Sequence, residues 1–152
     1  MKLAIGADER TYLTDDVVQE VQNRGHDVVL FGHLQGDKIF WPEVARQVAE
    51  SVAQGQANEG ILFCWTGTGV SLAANKVSGI RAALCADAET AKGARLWNRA
   101  NVLCISLRAT SAAVAQEILD AWFDTAYQPN EEDDACLAQV TALEKKYGSQ
   151  RN

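Results

Sequence analysis

Residues 59–85 read EGILFCWTGTGVSLAANKVSGIRAALC. The stretch opens on a short apolar run ending at Cys64 and passes through a loop of glycines and hydroxyls, residues 65–69. It becomes helix-like from near Val70 and closes on a second apolar run, residues 80–85. Strand, loop, helix and strand follow one another, the order that builds a parallel sheet.

The same alternation extends in both directions. KLAIGA (2–7) reads as a strand, 11–23 as a helix with Val17, Val18 and Val21 on one face and Gly25 as its C-cap, and DVVLFG (27–32) as a second strand. Pro42 opens a helix in which Val44, Val48 and Val52 recur every fourth residue. Beyond the central stretch, DAETAKGARLWNRA leads to a fifth strand, NVLCIS (101–106). Thr110 or Ser111 can then cap a helix carrying Val114, Ile118, Leu119 and Trp122. Five short apolar strands separated by helices predict a Rossmann-like α/β/α sandwich around a five-stranded parallel sheet, with 1–152 as a single domain. After YQPNEEDD, Leu137, Val140, Leu143 and Tyr147 form a stripe on an extra C-terminal helix, 130–149, that no strand follows. That stripe must be buried on its own domain or against another subunit, and the subunit interface is the preferred reading.

Composition narrows the partners. A net charge of −6 with no Lys/Arg run argues against a nucleic-acid or anionic-membrane surface, and no apolar stretch is long enough to span a bilayer. Acidic residues arrive too early in MKLAIGADER for a signal peptide, so a cytoplasmic setting and small-molecule partners are expected. Cys64, Cys85, Cys104 and Cys136 have no CxxC spacing, and the two histidines, His26 and His33, do not neighbour them. Zinc is not expected. Cys85 and Cys104 lie in apolar runs and read as buried, structural thiols.

In such sheets ligands bind at the carboxyl ends of the strands, which is where residues 64–71 fall. Gly67 and Gly69 let the backbone turn tightly and expose N–H groups, and a following helix would present its positive end to an anion. The loop lacks the Gly-Lys-Ser/Thr of a P-loop and the third glycine of a dinucleotide fingerprint. An isolated GxG can also do no more than shape a turn.

IGADE, the block 60–91, WNRANVL with SLR, and EILDAWF, in that order, resemble the type B ribose-5-phosphate isomerases and galactose-6-phosphate isomerase subunits. The likeness runs from Met1 to about Val140. It implies an aldose–ketose isomerase working through an enediolate without metal or organic cofactor, as a homodimer or dimer of dimers with sites at the interface. Cys64 stands at the position of the family's catalytic cysteine, with Thr66 beside it. The residues alone point the same way, because a helix N-terminus and exposed amides activate a thiol. Gly67, Thr68, Gly69 and Ser71 match the loop that holds the enediolate oxygens, while Asp8, Asn98 and Arg108 match the family's sugar-binding aspartate, asparagine and arginine. On its own, Asp8 could equally be a helix N-cap. A branch of the family that uses a glutamate has its counterpart at Val70, which cannot take a proton, so the cysteine branch fits.

The departures bear on substrate. Glu9 replaces a histidine near the substrate phosphate, and Trp97 replaces the ring-opening histidine. Arg99 replaces an aspartate, and Ala135 and Ala138 stand where the family has phosphate-gripping arginines. Glu131, Glu132, Asp133 and Asp134 add negative charge there. A phosphate-directed site needs guanidinium or imidazole donors, so the expected substrate is a sugar other than ribose 5-phosphate, either unphosphorylated or differently charged. Trp97 could stack on a sugar ring or simply pack, as could Trp41 and Trp65. The alternatives are a noncatalytic sugar-binding or partner subunit of the same fold and, less favoured, a flavodoxin-like nucleotide or flavin binder.

Overall fold

The computed structural model describes residues 1–148. Five strands, β1 (Lys2–Ala7), β2 (Asp27–Gly32), β3 (Glu59–Cys64), β4 (Ala82–Leu84) and β5 (Val102–Ser106), form one parallel sheet in the order β2-β1-β3-β5-β4. Between and after them run α1 (Tyr12–Asn23), α2 (Trp41–Ala53), α3 (Thr68–Ala74), α4 (Ala88–Asn98), α5 (Ala112–Asp124) and α6 (Glu131–Gly148). The result is the expected Rossmann-like sandwich.

Strand periodicity sorts the core into two layers. Leu3, Ile5, Ile61, Phe63, Leu103 and Ile105 face α1, α4 and α5, where Trp122 is wholly buried. Ala4, Leu62, Cys64, Val102 and Cys104 face α2 and α3, meeting Val44, Val48 and Val52. Thr11 caps α1 through reciprocal hydrogen bonds with Thr14, Asp87 caps α4 and Ser111 caps α5. Asp8 is therefore not a helix cap. Gly25 lies one residue beyond the α1 C-cap, which is Arg24. α3 begins at Thr68 rather than near Val70, and β4 is half the length of its apolar run.

Two asparagines finish the short edge strand. Asn75 donates to the Ala82 carbonyl (2.9 Å) and accepts from the Ala82 N–H (2.9 Å), imitating a neighbouring strand, while Asn101 accepts from the Arg81 N–H (2.8 Å). At the amino end of the sheet, Glu59 accepts from Arg95 (2.7 Å) and from the Trp122 indole N–H (2.7 Å). Arg95 lies over that indole, 4.8 Å from the ring centroid, and also donates to the Ala100 carbonyl (2.6 Å). Nothing in the sequence pattern marked this cluster, because Glu59 and Arg95 are spaced like solvated charges.

α6 matches the expected C-terminal helix, with residue 149 of that expectation outside the described residues. None of its residues is buried. Val140, Leu143 and Tyr147 are each more than half exposed, and the helix touches the sheet region through Glu144, which accepts from the Gly79 N–H (2.7 Å).

Glu59→Gln should lower unfolding free energy by about 2 kcal/mol in urea denaturation, less than for a wholly buried pair because both partners keep some solvent contact. Removing the exposed Arg10–Asp15 pair with Arg10→Ala should change it by less than about 0.5 kcal/mol. Equal effects would contradict the structural role of the Glu59 cluster.

Candidate active site

Cys64 ends β3, opposite Ser106 in the β5 register. Beyond the strand ends the two chains stay tied. The Leu107 N–H donates to the Cys64 carbonyl (3.0 Å), and the Arg108 N–H (2.9 Å) and Ser106 hydroxyl (3.0 Å) both donate to the Trp65 carbonyl. The turn closes at Gly67, with φ 74°. A Cβ there would stand 2.5 Å from Leu84 Cδ1 and 3.1 Å from the Ser106 nitrogen, so both the dihedral and the space demand glycine. Gly69 has a different role from the one expected. It lies inside α3, and a Cβ on it would come within 3.1 Å of the Trp41 ring, so its small size seats that indole against the loop.

The loop presents polar groups to solvent. Thr66 and Thr68 are exposed and their hydroxyls share one hydrogen bond of 2.7 Å, which leaves one O–H free to donate outward. Ser71 is half-buried, and its hydroxyl acts on the Cys104 thiol against the burial that raises it, so it is turned partly toward the core. With only seven residues, α3 is a short source of helix dipole, and the loop hydroxyls are the better-defined donors.

Three thiols lie close to this end of the sheet but differ in access. Cys64 retains 5% exposure, whereas Cys85 and Cys104 have none. Burial pushes the Cys85 thiol up to about 12 and raises Cys104 as well. Cys136 is exposed on α6. Among the described residues, no three His, Cys, Asp or Glu side chains converge as a metal-holding group, and no helix is long and apolar enough to cross a membrane.

Asp8 follows β1, the strand beside β3, and so reaches the same edge as Cys64. Burial raises its carboxyl above the ordinary range and neighbouring Glu9 pushes the same way, while its own backbone N–H and His33 pull down. Glu9 and Arg108 are both exposed at this rim. Thus Asp8, Glu9, Cys64, Thr66, Gly67, Thr68 and Arg108 gather at the carboxyl edge.

Trp97 and Asn98 do not join them within one chain. They end α4, which descends about 16 Å from Asp87 at the carboxyl edge to the starts of the strands. Trp97 is 61% exposed and lies over Gly93, in a groove of about 800 Å³ between α4, β4 and α6. Arg99, also at this lower end, sits beside the Tyr127 ring, 5.6 Å from its centroid. Sequence reasoning missed His33, which directly follows β2, and Trp41, whose role shows only in its contact with Gly69. The rule that ligands meet strand carboxyl ends could have found the histidine.

Comparison with known proteins bears on the family and the fold. Residues 3–140 match the family described as Ribose/Galactose Isomerase. The chain is 36% identical over 146 residues to ribose-5-phosphate isomerase B of Escherichia coli, covering 95% of this chain and 97% of that one. It is 35% identical over 130 residues to a D-erythrulose-4-phosphate isomerase of Pectobacterium atrosepticum, covering 84% and 86%. The solved structure of Clostridium thermocellum ribose-5-phosphate isomerase B superposes with a TM-score of 0.90 at 35% identity, covering 97% of this chain and 99% of that one. By sequence over nearly its whole length and by fold, the chain belongs to the ribose/galactose isomerase family of enzymes.

Proposed function

We propose that the protein interconverts an aldose and a ketose by moving a proton between adjacent carbons, with Cys64 as the base. The observation that carries this reading is the position of Cys64. It is a largely buried thiol at a strand's carboxyl end that keeps 5% exposure, next to a glycine-fixed loop with exposed hydroxyls, while the two neighbouring thiols have none. The thiolate takes the proton from the carbon next to the carbonyl, leaving an enediolate, and returns it to the other carbon. The one free O–H of the Thr66–Thr68 pair donates to an oxygen on which charge develops, the stage at which fixed donors accelerate most. Asp8 and Arg108 bind hydroxyl or anionic groups at the rim.

The assembly we propose is a homodimer or dimer of dimers. Two features support it: α6 carries an uncovered apolar stripe, and Asn98 and Trp97 can reach a Cys64 site only from another copy. For the substrate we propose a sugar other than ribose 5-phosphate, bound without the usual phosphate grip. Glu9 places an anion at the rim, and Ala135 and Ala138 on α6 offer no cation. The resemblance and the absence of long apolar helices among the described residues are compatible with a cytoplasmic enzyme of this kind.

Deuterium wash-in beside the carbonyl, screened over phosphorylated and free aldoses and ketoses, tests the base directly. Cys64→Ala should lower exchange by about 10²–10⁴-fold with little change in sugar affinity or melting behaviour. Cys85→Ala and Cys104→Ala should keep exchange and lose about 1 kcal/mol of stability. Near-normal exchange in Cys64→Ala would refute the assignment.

Sedimentation should give at least a dimer, and truncation from Pro129 should weaken association by removing the Leu137, Val140 and Leu143 stripe. A monomeric intact chain would contradict shared sites. The third expectation concerns charge: kcat/KM for ribose 5-phosphate should not exceed that for ribose. A preference of about 100-fold for the phosphate, roughly 2.7 kcal/mol, would contradict the missing grip and assign that role to Arg108 or a partner-chain cation.

A further inference from the structure

We propose that His33 supplies the imidazole that opens the sugar ring, working with Asp8 beside it. The inference rests on the isomerase reading of the site. His33 is one of two histidines in the chain, and the other, His26, lies at the opposite end of the sheet, near the terminal amine and 4.9 Å from the Phe123 ring centroid. Position 97, the family's ring-opening histidine, is an exposed tryptophan. The carboxyl edge therefore holds one imidazole from this chain.

Its placement is built into the backbone. In the β1–β2 and β1–β3 registers Gly32, Ala7 and Phe63 stand level, so His33, Asp8 and Cys64 are the next residues on three adjacent strands. At the usual strand spacing His33 is about 10 Å across from Cys64, with Asp8 between them. A sugar with its reacting carbon at Cys64 reaches across that row. The His33 N–H donates to the Ala7 carbonyl (2.9 Å), which fixes its backbone against Asp8, and the Asp37 N–H donates back to the Gly32 carbonyl (3.0 Å) to close the turn. Gly32 has φ 65°, and a Cβ there would stand 2.5 Å from the Ala7 carbonyl oxygen and 2.6 Å from Val44, so the approach that seats His33 requires glycine. His33 is half-buried, and its field favours the Asp8 carboxylate against the burial that opposes it.

The chemistry closes without an outside reagent. Asp8 accepts the proton of the anomeric hydroxyl, the bond between the anomeric carbon and the ring oxygen breaks as the carbonyl forms, and His33 gives a proton to the departing ring oxygen. Asp8 then passes its proton to His33, which restores both groups. Imidazole suits this work because it both gives and takes protons in neutral solution.

Substrates that can and cannot cyclise separate this role from the rest of the site. D-Ribose and D-ribose 5-phosphate close into rings, whereas D-erythrose 4-phosphate cannot form a furanose because its terminal oxygen is esterified. Deuterium wash-in is measured for all three with wild type, His33→Gln and His33→Asn, each checked for an unchanged melting transition. The ratio of ring-closed to open-chain exchange rates should fall by about 100-fold in both variants. An unchanged ratio, with both rates intact or both equally reduced, would overturn the assignment. In Cys64→Ala exchange should be lost from the open-chain substrate as well, so retention there would instead overturn the isomerase reading. Wild type that exchanges none of the three, nor any sugar of the wider screen, would overturn both.

Discussion

The left-handed turn at Gly67, closed between Leu84 and the backbone of β5, is the constraint on which the carboxyl edge depends. It stops β3 at Cys64, turns Thr66 and Thr68 outward, and starts α3 at once, so that Val70 and Ala74 can pack into the core. Any side chain at position 67 would have to displace Leu84 or part the β3 and β5 extensions. Because Leu107, Arg108 and Ser106 all bond to the carbonyls of Cys64 and Trp65, such a shift would reach the thiol, the loop and the arginine together. Under the proposed mechanism such a shift matters, because a proton acceptor displaced by an ångström loses much of its advantage.

The two ends of the sheet divide the labour. At the amino end, Glu59, Arg95 and Trp122 satisfy one another's polar groups while tying β3, α4 and α5, a stabilising arrangement. At the carboxyl end the polar groups are left partly exposed. Asp8 is the clearest case: it is released from helix capping by Thr11, half-buried, and raised by that burial, which is the condition of a carboxyl suited to exchanging protons.

The sheet was legible because its strands are continuous apolar runs. KLAIGA, DVVLFG and EGILFC give strand boundaries that the structure reproduces to the residue. IRAALC was harder to bound, since β4 is an edge strand finished by the asparagine side chains 75 and 101 rather than by more backbone pairing. For the site, the order of motifs was enough to place Cys64 and its loop at the carboxyl edge, and chain order puts Asn98 at the far end of a helix that returns to the amino edge, but spacing carries no signal for the indole behind Gly69. His33 escaped notice because a single histidine after a strand has no periodic signature, although its place at a strand's carboxyl end was legible. The stripe on α6 was read correctly as apolar, yet within one chain it remains uncovered.

The central claim is that the reacting carbons sit over Cys64 with their oxygens in the loop that Gly67 shapes. A crystal structure with a hydroxamate analogue of a short-chain sugar acid, which imitates the enediolate, tests it most directly. The account predicts the paired hydroxamate oxygens within hydrogen-bonding distance of Thr66 or Thr68 and the Cys64 sulfur facing the planar carbon. An analogue seated instead in the groove between α4, β4 and α6 of its own chain, away from Cys64, would contradict it.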